Sequence, residues 1–334
     1  MMERRRFLTA GVAATLPATA SPAQARPTIR IARIQGINFL PTYLMQRRRL
    51  VEMHAEKLGL PGAQAEWIDF PGGGNATDAM LAGAVDVVNA GPGNMLLLWD
   101  RTRGGVKGIV SNSALPATLI SRDPRLNAVT DYGPEDRIAV PTVLVSTQAI
   151  LLEIAAERAY GADQWRRLNT NAVQLGHGDA YGAMMNPSHE IRSHFASPPF
   201  ITRELQNVPG AHVVTDSAAI LGSPLSTAIM FTTTRFADQQ PVLVKAVAAA
   251  STEAVAAMRA DPGQAARDYL DTSNDRIPHA ELVALLGAPG MVFDVKPEGT
   301  LRLAEFLNRI GTLRIRPKAW TDYFLPEAAA LGGS

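Results

Sequence analysis

The sequence predicts an α/β protein, and three observations carry that prediction. Short runs rich in β-branched residues alternate with apolar segments of helical spacing. Turns rich in Gly or Ser separate them. The strand, turn, helix unit occurs three times before residue 100 and starts again near residue 137. Strands joined by single helices lie parallel, because the helical crossover returns the chain to the edge it left.

Residues 28–34 alternate β-branched side chains with Arg30 and Ala32 and read as the first strand; Gly36 then opens a loop into a helix at 41–46. A second strand is expected at 65–70, followed by the permissive turn Pro71-Gly72-Gly73-Gly74 and a helix at 76–82 that stops at Gly83. The third unit is a strand at 85–88, the turn Gly91-Pro92-Gly93 and an apolar helix at 94–99. A strand at 117–121 precedes a turn-rich stretch. Residues 137–141 then begin a second α/β lobe, with a helix at 147–160 and a strand-like run at 191–195. Residues 220–231 read as an extended return segment, and the helical stretches 241–259 and 265–270 are expected to pack on the first lobe.

Composition narrows the function. With 334 residues, 46% hydrophobic and 19% charged, the chain holds enough apolar material for one or two full cores. Its 32 Lys and Arg against 31 Asp and Glu leave a net charge of +1, which argues against nucleic acid as a partner. The count of Cys is 0, which removes disulfides, thiolate catalysis and Cys-type zinc sites. The chain opens Arg4-Arg5-Arg6-Phe7-Leu8, continues through small and apolar residues to Ala18, and reaches Ala23-Gln24-Ala25 before Arg26-Pro27. That pattern reads as an export signal over residues 1–25, of the twin-arginine type, cleaved near Ala25. No later stretch has about 20 consecutive apolar residues, so no spanning helix is expected beyond it.

Three turns stand out as candidate ligand contacts: Gly72 to Asn75, Gly91 to Asn94, and Val145-Ser146-Thr147. Each presents unpaired backbone N–H groups and the positive end of a helix dipole at the carboxyl end of a strand, where open α/β sheets bind ligands. Other chemistry is not legible. Gly72-Gly73-Gly74 lacks the Lys of a phosphate loop, and Gly176-His177-Gly178 is too irregular for a dinucleotide fingerprint. The six His residues show no helical i, i+4 pair, so no metal site and no cofactor is expected. Asp179, Glu190 and His194 read as surface polarity rather than an acid–base set, and Ser146 has no nucleophile-elbow context. Met184-Met185, Tyr181, Phe195 and Phe200 are candidates to line a cleft.

Taken together, certain segments resemble the periplasmic solute-binding proteins of ABC importers of the sulfonate, nitrate and taurine type, related to the thiamine-pyrimidine precursor proteins. They are Phe39-Leu40-Pro41-Thr42-Tyr43-Leu44, the run Ile68-Asp69-Phe70-Pro71-Gly72-Gly73-Gly74 through Asp86-Val87, Gly91-Pro92-Gly93, Gln240-Pro241 with its alanine-rich helix to Asp261-Pro262, and Lys318-Ala319-Trp320-Thr321-Asp322. The resemblance spans nearly all the chain after residue 25. It implies a two-lobe fold of the class II type with two crossover strands, near 113–117 and 221–226. Lobe 1 would comprise 26–115 and 224–334, and lobe 2 would comprise 116–223. It places the ligand against Asn38 and Phe39, Gly74 and Asn75, Gly91 and Pro92, Ser146 and Thr147, and Ser197 and Pro198. Arg47-Arg48-Arg49 departs from the more polar run usual in the family. The loop 193–200 suits a small organic group, with Arg192 a candidate to neutralise an acid.

The resemblance further implies a non-catalytic, monomeric, periplasmic protein that delivers a small organic anion to an ABC permease. Two other roles fit the same fold family: a ligand-sensing subunit for a membrane sensor kinase, and a thiamine-pyrimidine precursor binding protein or synthase. The export signal argues against the synthase, which works in the cytosol.

Overall fold

The computed structural model describes residues 26–334, so the segment read as an export signal lies outside the described residues. β1 (Thr28–Ile34) leads through a single 3-10 turn into α1 (Leu40–Arg47) and α2 (Leu50–Lys57). β2 (Gln64–Phe70), α3 (Gly73–Leu81), β3 (Val87–Ala90), α4 (Pro92–Arg101) and β4 (Val106–Ser113) follow. The chain then builds a second sheet from β5 (Thr118–Ser121), β6 (Ile138–Val140), α5 (Thr147–Tyr160), β7 (Ala172–Gln174), α6 (His177–Met185), β8 (Ser193–Ala196), α7 (Phe200–Asn207) and β9 (His212–Asp216). The short α8 (Ser217–Leu221) leads back to β10 (Ala228–Thr233). After it come α9 (Thr234–Gln239), α10 (Pro241–Ala260), α11 (Pro262–Thr272), α12 (His279–Leu286) and α13 (Thr300–Arg309).

The two sheets have five strands each, in the orders β2-β1-β3-β10-β4 and β7-β6-β8-β5-β9. β1 pairs in parallel with β2 from Thr28↔Gln64 to Ile34↔Phe70 and with β3 at Ile31↔Val87. β6 pairs in parallel with β7 and β8. The returning β10 runs antiparallel between β3 and β4. Asp86 sets where β3 begins: its carboxylate accepts from the Arg30 backbone N–H at 2.8 Å and from the Arg30 guanidinium at 2.6 Å, so the strand starts two residues later, at Val87 rather than residue 85.

Helices cover both faces of the first sheet. On one face Ile29, Ile31, Val87 and Met230 meet α1, α2, α10, α11 and α12 through Leu44, Val247 and Tyr269. On the other, Ala32, Val88 and Phe231 meet Met95 and Leu96, and the same apolar cluster continues into Ile138, Val140 and Phe195 of the second sheet, Ile150 of α5, and Leu303 and Phe306 of α13. At roughly 1.5–3 kcal/mol per fully buried large side chain, this continuity couples the two halves strongly along one side. Phe195 belongs to this second cluster and Met184 to a smaller one with Ile120, Ala196 and Val208; at 0% and 1% exposure they do not line a cleft as the sequence suggested. By length and composition α10 passes as a membrane span. Its Ala246, Ala250 and Ala254, four residues apart and fully buried, instead give α2 and the sheet a close seat.

Several elements have no sequence signature. β4 carries Gly108 and a Ser-Asn-Ser end, yet every residue but Lys107 is buried. A Cβ at Gly108 would lie 2.5 Å from the Phe324 ring and 2.9 Å from Met95 Sδ, so glycine is required by what packs on it. The expected extended segment 220–231 begins helically: the Asp216 carboxylate caps α8 by accepting from Ala219 N at 2.8 Å, and Gly222 ends it at φ 72°. Arg48 and Arg47, from the unusual basic run, pair with Asp268 and Asp271 of α11 at 2.6 and 3.8 Å.

Glu153 lies in the interior of α5, 4% exposed, and accepts a hydrogen bond from Asn169 Nδ2 at 2.9 Å. Burial pushes its pKa up to about 7. The folded state therefore holds a proton that the unfolded chain releases, and this contribution to stability is lost as pH rises through 7. Glu153→Gln keeps the acceptor and cannot ionise. Thermal unfolding is expected to show a gain of about 2–3 kcal/mol over the wild type at pH 8 and none at pH 4. Equal stabilities at pH 8 would contradict this account.

Candidate functional site

Parallel strands deliver their loops to one edge. In the first sheet that edge carries the turns after β1, β2 and β3, and in the second the turns after β6, β7 and β8. The two crossings, residues 113–118 and 216–228, join these edges and hold each other. Thr227 N donates to the Ser113 carbonyl at 2.8 Å and Leu115 N to Thr227 Oγ1 at 3.0 Å, while Ser217 N donates to the Ala117 carbonyl at 2.8 Å. The edges consequently face each other across a cleft.

At one side of the cleft the edges touch, and glycines allow it. A Cβ at Gly91 would sit 3.0 Å from Thr147 Oγ1 and 3.6 Å from Asn94 Oδ1. One at Gly93 would sit 2.9 Å from Ile150 Cδ1 and 3.0 Å from the Val145 carbonyl, and one at Gly73 would lie 2.7 Å from Asn94 Oδ1. The N-termini of α3, α4 and α5 thus converge from both sheets. Gly73, Gly74, Asn75, Gly93, Thr147 and Gln148 carry backbone N–H groups with no acceptor among the described residues. Each terminus favours an anion by roughly 0.3–1 kcal/mol, more when partly buried.

The structure gives each sequence-derived candidate a place. Gly91, Pro92 and Thr147 meet across the cleft, with Pro92 and Thr147 buried. Ser146 caps α5: its hydroxyl accepts from Ala149 N at 3.2 Å and donates to the Thr142 carbonyl at 2.7 Å, so it is engaged within its own turn. Ser197 is tied to α5 by Gln148 Nε2, which donates to its Oγ at 2.8 Å, and Pro198 beside it is buried. Gly74 and Asn75 are exposed at the start of α3, next to α4. Asn38 and Phe39 stand half-buried after β1. The Asn38 carbonyl accepts from Ser113 Oγ at 3.0 Å, and its Oδ1 is buried without a partner.

Two expectations fail. Arg192 sits at the amino end of β8, the edge away from the cleft, and bonds Asp123 at 3.2 Å; beside it Arg125 holds the Asp123 carboxyl well below the usual range. His194 is not surface polarity but 0% exposed on β8, bonded to His177 and to Glu204. Sequence reasoning also missed Gln148 and two ion pairs that join the second-sheet helices to the first-sheet side: Arg203 of α7 with Glu281 of α12 at 2.9 Å, and Arg309 of α13 with Glu157 of α5. Partners separated by 78 and 152 residues leave no local signal. Among the described residues no group of three or more His, Asp and Glu is arranged to hold a metal ion. A groove of ≈ 490 Å³ between α10 and the C-terminal segment, lined by Val244, Lys245 and Leu325, lies apart from all these turns.

No protein-family profile and no curated protein matches the sequence. Solved structures match over most of its length. The periplasmic aliphatic sulphonate binding protein SsuA of Escherichia coli aligns with a TM-score of 0.66 and 15% identity, over 89% of this chain and 92% of that one. The alkanesulfonate-binding protein SsuA of Xanthomonas axonopodis pv. citri, bound to MOPS, aligns at 0.66 and 17%, over 93% and 100%. A Candida albicans protein described as having the generic periplasmic binding protein fold aligns at 0.64 and 11%, over 90% and 96%. The chain has the periplasmic-binding-protein fold. In this chain the contact between α4 and α5 is one of the places where the two halves seat on each other. Gly93→Val would put a branched side chain against Ile150 and the Val145 carbonyl, at a cost of about 1–3 kcal/mol. Small-angle scattering is expected to show a larger radius of gyration with unchanged circular dichroism; an unchanged radius would show that this contact does not hold the halves together.

Proposed function

We propose that the chain is an exported solute-binding protein that captures a small organic anion, sulfonate- or carboxylate-like, between its two lobes and delivers it to the permease of an ABC importer. The convergence of the α3, α4 and α5 N-termini carries this reading, because unpaired N–H groups from both sheets can close on one anionic group only when the lobes come together. In this reading lobe 1 is 26–115 with 224–334 and lobe 2 is 116–223. The twin-arginine segment directs export and is removed near Ala25, and the protein works as a periplasmic monomer.

Gly74, Asn75, Gly91 and Thr147 supply donors to the anion, while Asn38 and Phe39, with Ser197 and Pro198 opposite, surround its organic part; Pro92 and Ser146 shape and cap the turns that present them. The sulfonate-binding neighbours favour this ligand class. Binding of this kind needs no bond to be made or broken.

A thermal-shift screen of the purified protein against alkyl and aryl sulfonates, nitrate, aromatic carboxylates and pyrimidines tests the proposal. A ligand at 1,000 times its dissociation constant adds about 4 kcal/mol, which raises the midpoint by roughly 8 °C or more. Thr147→Val, which removes one hydroxyl at constant shape, is expected to weaken the hit about ten-fold by calorimetry. A screen flat for every organic anion, or full affinity in Thr147→Val, would overturn the ligand class or the site respectively.

A further inference from the structure

α6 begins at the cleft edge, directly after β7, and its first residue is His177. His177 Nδ1 lies 2.8 Å from His194 Nε2, and His194 Nδ1 lies 2.5 Å from Glu204 Oε1 on α7. His194 and Glu204 are both 0% exposed, and Glu204 Oε2 is buried without a partner. His177 is half-buried and stacks on Phe200 with ring centroids 5.8 Å apart; its Nε2, across the ring from the inward bond, has no partner among the described residues. Phe200 follows the Ser197-Pro198 turn, so the outward face of His177 belongs to the second lobe's cleft edge.

Proton counting along this line allows two arrangements. With three protons on the set, Glu204 and His194 share one across the 2.5 Å bond, His194 Nε2–H donates to His177 Nδ1, and His177 Nε2–H points outward as a donor. Wherever the shared proton sits, the set is neutral. With two protons, the Glu204 carboxylate accepts from His194 Nδ1–H, His194 Nε2 accepts from His177 Nδ1–H, and His177 Nε2 presents a lone pair. The set then carries one negative charge. We infer that His177 contacts the bound solute and that Glu204, acting through His194, sets whether its outward nitrogen donates or accepts, so that anion capture requires the proton held between Glu204 and His194.

This inference rests on the solute-binding reading above. Burial supports it: Glu204 is pushed up to about 8 and both histidines down to about 3, so the neutral, donating arrangement prevails at neutral pH and is lost as pH rises past it. The elements packed against the set are α6, α7, β5, β6 and β8. Their other charged or titratable groups are Asp179, which is exposed, Tyr181, whose hydroxyl accepts from Asn207 Nδ2 at 3.3 Å, and Arg203, which is paired with Glu281. Burial of the three groups themselves therefore governs the titration.

Two-bond ¹⁵N–¹H spectra of the histidines in the full protein, from pH 5 to pH 9, test the switch directly, with His177→Ala assigning the signals. His177 is expected to carry its proton on Nε2 at pH 6 and on Nδ1 at pH 9, with His194 changing in the same transition, and Glu204→Gln to abolish the transition. Calorimetry with butanesulfonate is expected to show wild-type affinity falling about ten-fold between pH 6 and pH 9, and His177→Ala binding about ten-fold more weakly at pH 6 with no pH dependence. A His177 tautomer that stays the same from pH 5 to pH 9 overturns the inference, as does wild-type affinity in His177→Ala. If butanesulfonate fails to bind the wild type at every pH, the sulfonate reading of the function falls, while the tautomer spectra still decide the switch.

Discussion

The first sheet is closed by a strand that arrives from the far side of the molecule. β10 inserts antiparallel between β3 and β4, so the chain must leave after β4, build the whole second sheet, and come back through the same gap. Both crossings are thereby forced side by side, where Ser113, Leu115, Ala117, Ser217 and Thr227 satisfy one another's backbone groups. The same constraint turns the loop-bearing edges of the two sheets toward each other. Neither sheet could present its turns to the other without that return.

Contact between the halves divides into two kinds. Along α4, α5 and α13 it is continuous with both cores and largely apolar, with the Arg309–Glu157 pair beside it, and it depends on glycine at positions 91 and 93 for close approach. At Arg203–Glu281 it is a partly exposed ion pair, worth little on its own and easily screened. A strong apolar seam on one side and a weak polar contact on the other suit a pair of lobes that remain attached while one side of the cleft opens.

Two buried glutamates and a pair of bonded histidines lie in the second sheet and its helices. Glu153, His177, His194 and Glu204 all have pKa values moved toward the neutral form by burial. Protonated carboxyls and neutral histidines pull stability in opposite directions with pH. The acids lose their contribution as pH rises from about 4.5 through 7–8, and the histidines lose theirs as pH falls below about 6.5, which places the optimum on the mildly acidic side of neutrality.

What the sequence determined by itself is local. The alternation at 28–34, the Gly-rich turns at 72–74 and 91–93 and the helix at 147–160 declare strand, turn and helix within a dozen residues, and with them the parallel α/β class. The turn chemistry also marked Gly91 and Thr147, since N-caps and phosphate-like turns have composition of their own. Only the tertiary structure decided the rest. β4 looks too polar to be a core strand until Phe324 and Met95 are seen lying on Gly108. Ser146 reads as a ligand group from its turn alone, and only the structure shows that its hydroxyl also caps α5. His194 reads as surface because one histidine in a strand carries no sign of the two residues, 17 and 10 positions away, that bury and bond it. Burial and pairing between distant segments are properties of packing, and packing is a sum over contacts that no single stretch of sequence contains.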